Sequence, residues 1–430
     1  MSELPTNWHK AKFTEVFDVQ GGTQPPKSTF LNDPTEGYVR LLQIRDFGAK
    51  PVPTYIQETK SIKTCEKDDL LIARYGASLG RICTGMSGAY NVALAKLVCP
   101  VEVSKAFAKH YLCSEEFQAP LRLLSRSAQN GFNKEDLSDF DFSFPPKAEQ
   151  TRIAQKLDEL LAQVETLRAR IDAIPTLLKR FRQSILSAAV SGRLLGNAEC
   201  WHSTRIGDIC IVSTGKTPKR DILNYWEHGD IPWLTSAVTG EDFCSKAEQF
   251  VTEFALKDCS LKMFQPGTLL MAMYGEGKTR GQVTELKISA TCNQACAAIT
   301  VNETIARKEF VKIRLQENYE EIRKQAVGGA QPNLNLNKVR EISISLPSLE
   351  EQTEIVRRVE QLFAFADQLE TKVASAKNRI DHLTQSILAK AFRGELVPQD
   401  PNDEPASALL ERIKGQRAAA PNTKRGRKSA

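Results

Sequence analysis

One stretch of this chain recurs further along at a single offset, without a gap. Ser143-Phe-Pro145 returns as Ser345-Leu-Pro347, and Glu149-Gln150-Thr151 returns as Glu351-Gln352-Thr353. Gln183-Ser-Ile-Leu186 returns as Gln385-Ser-Ile-Leu388, and Gly192-x-Leu194 as Gly394-x-Leu396. Each pair lies 202 residues apart, so the chain holds two copies of one unit. Between the anchors, apolar residues step 4-3-4-3. The first copy runs Ile153, Leu157, Leu160, Val164, Leu167, Ile171, Ile174, Leu178, Phe181, Ile185. The second runs Ile355, Val359, Leu362, Ala366, Leu369, Val373, Ala376, Ile380, Leu383, Ile387. A 3.5-residue apolar period sustained this long specifies a coiled-coil seam.

Each helix is expected to be about 45 residues, roughly 70 Å long at 1.5 Å per residue. Ser348 with Glu351 three residues on is a capping box, and Gly192 and Gly394 are C-terminal stops. Pro175 predicts a kink or short break in the first helix only, because its counterpart is Lys377. A domain of about 150 residues lies between the helices, and domain termini lie close together. That makes the helices antiparallel and relates the repeats by a pseudo-two-fold axis.

The globular heads match in patches. Trp8-His9 aligns with Trp201-His202, Gly22-Thr23-Gln24-Pro25 with Gly215-Lys216-Thr217-Pro218, and Asp69–Gly76 with Thr268–Gly275. A closing strand alternates as Phe140, Phe142, Phe144 in one head and Ile342, Ile344, Leu346 in the other. Each head reads as α+β, built on short, mostly antiparallel strands. The divergent loops are rich in groups that suit nucleic acid. Head one offers Thr23, Gln24, Lys27, Arg74, Tyr75, Ser78, Arg81, Gln129, Asn130, Asn133 and Lys134. Head two offers Lys216, Thr217, Lys219, Tyr274, Lys278, Thr279, Arg280, Gln331, Asn333 and Asn335. Arg and Lys suit guanine, Asn and Gln suit adenine, and Ser and Thr suit phosphates or either base. The bland alternative is polar loops held by Asn and Gly turn chemistry.

Charge limits how DNA could be held. The net charge of +6 owes everything to Arg412–Ala430, which carries seven basic residues and no acid. Without those seven, 51 basic residues face 52 acidic ones, so local clusters or partners must supply the phosphate attraction. The tail reads as disordered. No apolar run of eighteen residues and no basic-then-apolar leader at Met1–Lys10 is present, which suggests a cytoplasmic protein without a membrane anchor. Ten cysteines and five scattered histidines form no zinc spacing, and reduced structural thiols are expected.

Catalytic patterns are lacking. Ala272-Met-Tyr-Gly-Glu-Gly-Lys278-Thr279 resembles a phosphate-binding loop but has Ala272 where the first glycine belongs. Asp258 with Glu276 and Lys278 loosely imitates a metal-dependent nuclease, unmatched in head one. No adenine-methylating Asn/Asp-Pro-Pro-Tyr/Phe motif and no hydrolase triad stands out.

Head, long helix, head, long helix, with Pro-x-x-x-Glu149-Gln150 and Gln183-Ser-Ile-Leu…Gly192-x-Leu194 repeated, resembles the specificity (S) subunits of type I DNA restriction–modification enzymes. The run Leu157–Arg168 is similar to that family's central helix, and the likeness spans roughly residues 1–400. It implies target-recognition domains at 1–146 and 197–348, helices at 147–196 and 349–398, and a basic tail at 399–430 outside the family pattern. It further implies a non-catalytic reader of a bipartite, asymmetric double-stranded DNA site, with one domain per half-site and the helices as a ruler. Expected partners are two modification (methyltransferase) subunits that methylate adenine N6, plus restriction subunits. S-adenosylmethionine, ATP and Mg would be bound by those partners and none by this chain. From another class, a coiled-coil scaffold with protein-binding heads also fits the near-neutral body.

Overall fold

A computed structural model describes residues 4–124, 131–196, 201–275, 279–319 and 334–419. Head one opens with β1 (His9–Lys12) and one helical turn, α1 (Phe13–Val16). Strands β2 (Asp18–Gly21), β3 (Tyr38–Leu42), β4 (Tyr55–Gln57), β5 (Thr64–Cys65), β6 (Leu71–Ala73), β7 (Ile82–Cys83), β8 (Gly88–Tyr90) and β9 (Leu94–Val98) follow. Helices α2 (Lys105–Cys113) and α3 (Glu115–Leu124) precede β10 (Asp141–Phe144) and the long helix α4 (Lys147–Val190). Head two repeats the plan. It runs β11 (His202–Arg205), α5 (Ile206–Ile209), β12 (Cys210–Thr214), β13 (Ile231–Leu234), β14 (Phe243–Cys244), β15 (Gln249–Val251) and α6 (Glu253–Asp258). Then come β16 (Leu269–Ala272), β17 (Val283–Leu286), β18 (Thr291–Cys292), β19 (Cys296–Val301), α7 (Lys308–Glu317), α8 (Leu336–Arg340) and β20 (Ser343–Leu346). The second long helix, α9 (Leu349–Phe392), and a final helix, α10 (Ala406–Ala419), complete the described chain.

The chain divides into two compact units, Met1–Ile171 with Ser375–Ala430, and Asp172–Ala374. In the first unit β1 pairs with β10, and two four-stranded sheets run β2-β9-β6-β7 and β4-β3-β8-β5. In the second unit β11 pairs with β20, beside sheets β12-β19-β16-β17-β14 and β15-β13-β18. Most pairs are antiparallel; β3 with β8, β13 with β18 and β14 with β17 are parallel. The closing strands follow their alternation, with Phe142, Phe144 and Ile344 buried.

The cores differ in kind. In the first unit Phe13, Phe17, Phe107, Tyr111, Phe117, Phe142 and Phe392 interlock, with Tyr111 edge-on to Phe142 at 4.8 Å and to Phe392 at 5.7 Å. Such pairs add to plain area burial. The second unit fills the same place with mostly aliphatic residues around Met271, Phe310, Ile344 and Ile355.

Both helix pairs are antiparallel. In the first unit Ile153 and Leu157 share a core with Leu388 and Phe392, while Arg168 further along α4 reaches Asp381. In the second, Ile185 packs in one core with Ile355 and Val359, and Arg182 reaches Asp367 and Glu370. The seam is buried near each head but open at Leu167 and Leu383, which are 47% and 45% exposed. At the start of α9, Ser348 and Glu351 form the expected reciprocal cap, N–H to carboxylate at 3.0 Å and N–H to hydroxyl at 3.3 Å. Gly394 ends α9 at φ 75°, with Glu395 N–H on Lys390 O and Gly394 N–H on Ala391 O, a Schellman closure. Gly192 has the same φ.

Two readings change. Helix α4 runs unbroken through Pro175, so the short break does not form. One missing donor costs a few kcal/mol, which burial of Leu178, Ile185 and Leu186 beyond it outweighs. The tail beyond 399 is also structured as far as residue 419. Ala406, Leu409, Leu410 and Ile413, spaced i, i+3, i+4, i+7, are all buried in the first unit's core. Arg417 donates to the carbonyls of Thr14, Glu15 and Val16 at 2.6–2.8 Å, covering the orphan end of α1. Apolar burial decides the matter over charge, and Arg412 is paired with Glu404.

Candidate nucleic-acid interface

In each head, loops meet where the sheet built on β6 or β16 ends. The crossing is built from a glycine and an Asx turn. In head one Asn91 Oδ1 accepts the Ala93 N–H at 3.2 Å, and Leu94 N–H donates to Asn91 O. Ala93 O in turn accepts from Arg74 N–H. Gly22 passes over this turn so closely that a Cβ would sit 2.2 Å from Asn91 O. Head two repeats every part. Asn293 Oδ1 accepts the Ala295 N–H at 3.1 Å, Ala295 O accepts from Met273 N–H, and a Cβ on Gly215 would lie 1.6 Å from Cys292 O. Only glycine allows such an approach. Neither asparagine was among the residues expected from sequence, because the 202-residue match Asn-x-Ala is too short to stand out.

Several expected contacts are already engaged within the protein. Arg74 donates Nε and Nη2 to Phe132 O at 3.1 and 2.9 Å and lies against the rings of Tyr75 and Phe132. It braces the loop that follows. Tyr75 bridges to Gly131 and is 40% exposed. Asn133 and Asp136 cap each other's amides at 2.7 and 3.0 Å. Lys134 pairs with Asp18; burial pushes the Asp18 carboxyl up, but Lys134 and the Val19 amide outweigh it and hold it below its ordinary range. Thr23 Oγ1 accepts from the Lys63 amide at 3.4 Å. Gln24 and Lys27 are exposed on the next turn. Ser78 O accepts the Arg81 N–H, and the Arg81 side chain reaches Phe47 O. The structure thus gathers Thr23, Arg74, Tyr75, Asn133 and Lys134, while the Arg81 guanidinium is engaged by Phe47 O.

In head two, Lys216 Nζ donates to Cys259 O at 3.2 Å, and Thr217 donates to Gln294 Oε1. Lys219 is exposed. Tyr274 is 38% exposed, Thr279 packs on Gly275, and Arg280 donates to Gly275 O. Asn335 caps α8 by accepting from Lys338 N–H at 2.9 Å. Gln294 and Arg220, both exposed here, were missed from sequence. Gln129, Asn130, Lys278, Gln331 and Asn333 lie outside the described residues, as does Glu276. Asp258, the third member of the nuclease-like set, accepts from the Tyr225 hydroxyl. Among the described residues no cluster of three His, Cys, Asp or Glu could hold a metal, and nine cysteines are free. Burial pushes the Cys99 and Cys210 thiols up to about 12. No described helix is long and apolar enough to cross a membrane.

The model of the type I restriction modification DNA specificity domain matches twice, at residues 5–176 and 198–376. The chain is 33% identical to the StySPI specificity subunit of Salmonella potsdam over 100% of its own length and 99% of that protein's. It is likewise 33% identical to the EcoKI specificity subunit of Escherichia coli (strain K12), over 100% and 99%. Among solved structures, a chain from a study of complex assembly and conformational transition in the type I R-M system superposes with TM-score 0.71 at 19% identity, covering 92% of this chain and 100% of that one. The HsdS subunit of Thermoanaerobacter tengcongensis gives 0.62 at 19% identity, over 92% and 99%. At that identity the likeness is one of fold.

Proposed function

The chain belongs to the specificity-subunit family of type I restriction–modification enzymes, and on that premise we propose that its two heads read the unequal halves of one bipartite, asymmetric DNA site. The observation that carries this reading is the duplicated crossing. Glycine, Asx turn and strand end recur in both heads, while the side chains set on them differ: Thr23 and Val92 in one, Lys216 and Gln294 in the other. One frame bearing two chemistries suits a site whose halves differ, because bases are told apart by the donors, acceptors and methyl groups they present in the major groove.

The balanced charge of the body leaves phosphate attraction to local lysines such as Lys27, Lys216 and Lys219 and to partner subunits. The long helices serve as spacer and as seats for two modification subunits, and restriction subunits join that assembly. S-adenosylmethionine, ATP and Mg belong to those partners; this chain contributes recognition and supplies no catalytic group. Exchanging residues 1–146 for the same span of a relative tests the assignment. Modified-base sequencing of the host is expected to show one half-site changed and the other retained. Change in both halves, or in neither, would refute it.

A further inference from the structure

Arg220 is an exposed cation of the head-two loops whose guanidinium is held on three sides. Its guanidinium lies 3.9 Å from the centroid of Trp226 and 4.9 Å from that of Trp233, and the two indoles stand edge to face at 5.1 Å. Nη2 donates to Gln249 Oε1 at 2.6 Å. The indoles also pin the loop itself: Trp226 Nε1 donates to Lys219 O and Trp233 Nε1 to Lys216 O, each at 3.0 Å. Two aromatic contacts and one hydrogen bond therefore fix the plane of the guanidinium, while Nε, Nη1 and the second N–H of Nη2 take no partner among the described residues, so an edge with two adjoining donors stays open. The counterpart in head one is Lys27, three residues past Gln24 as Arg220 is past the aligned Thr217, and it is exposed without any such brace among the described residues.

A phosphate asks only for positive charge, which a mobile lysine supplies. A guanine edge asks for two donors in one plane, aimed together at O6 and N7. Ordering a long side chain in advance serves the second task, since the rotamer entropy is then not lost on binding. We propose that Arg220 is a specificity-determining residue of head two and reads a guanine in its half-site. The inference rests on the heads reading DNA as set out above.

The test is modified-base sequencing of a host carrying the complete system with Arg220→Lys or Gln249→Ala in the full chain. With Arg220→Lys, preference for G·C at one position of one half-site falls by about 5- to 150-fold, and every other position holds. Gln249→Ala keeps the cation but frees it, and relaxes the same position to a smaller degree. An unchanged motif with evenly reduced modification would mean a phosphate contact and overturn the proposal. If a variant leaves too few modified sites to read, the assembled complex is used to select duplexes randomised in head two's half-site. Retained G·C preference there also overturns it. Failure of the underlying reading looks different, because exchange of the whole of head two would then leave the motif untouched.

Discussion

The indole N–H of Trp8 donates to Glu149 Oε2 at 3.0 Å, joining β1 to the start of α4 across 141 residues. Gln399 donates to the other oxygen at 2.7 Å, so one buried carboxylate ties the beginning of head one, the long helix and the segment after α9. Among the described residues head two lacks this tie: Glu351 caps its own helix through Ser348, and the buried Trp201 Nε1 meets no partner there. Glu149→Ala strands the buried Trp8 indole N–H and is expected to cost about 1–3 kcal/mol, while the exposed Gln399 keeps its bond to Gly394 O. Glu351→Ala loses a cap worth about 1 kcal/mol. Thermal unfolding of the two variants measures the difference, and equal losses would contradict the asymmetry.

The C-terminal helix makes a second asymmetric contribution. Leu410 is 2% exposed in the first unit's core, and Leu410→Ala is expected to cost about 2–5 kcal/mol. Lys414, on the same helix but exposed, is expected to tolerate alanine within about 0.5 kcal/mol. Chemical denaturation of both variants checks this.

The ion pairs between the long helices are unequal. Arg182 reaches Asp367 and Glu370 and lies over Phe363 at 5.5 Å. Arg168, itself 39% exposed against 27% for Arg182, meets Glu165 and Asp381 with no ring beneath it among the described residues. Arg182→Ala is expected to cost about 1 kcal/mol and Arg168→Ala a few tenths. Raising the salt should shrink the second loss more than the first. Double-mutant cycles with Asp367 and Asp381 give the coupling energies directly.

Acid acts through His110. It is 5% exposed beneath α4, and burial depresses its pKa below the ordinary 6.5 despite the 2.9 Å bond to Asp158. Since the unfolded chain binds that proton more readily, the stability involved is present above about pH 6.5 and is lost as pH falls through the folded-state value. Wild-type unfolding free energy is therefore expected to decline below pH 6.5, and His110→Gln to flatten that part of the profile. A variant with an unchanged slope there would contradict it.

Periodicity and repeated anchors made the helices legible, because a 3.5-residue seam and the Ser348–Glu351 cap are local patterns. The helix at Ala406–Ala419 carried its own signal in Ala406, Leu409, Leu410 and Ile413, masked by the basic residues around it. Site residues were harder to read. Loop composition marked Arg74 and Asn133 as free to bind, but Arg74 is held by Phe132 O and Asn133 by Asp136, partners known only once the chain is folded. Arg220 was overlooked for the converse reason: what fixes it comes from Trp226, Trp233 and Gln249, each from a different stretch of head two.

The central claim is one head for each half of a divided site. Sequencing modified adenines genome-wide, in a host expressing the wild-type chain with its modification partners, tests it most directly. The expected result is one motif of two unlike specified parts separated by an unspecified spacer of fixed length. A single contiguous motif, or two identical half-sites, would contradict it.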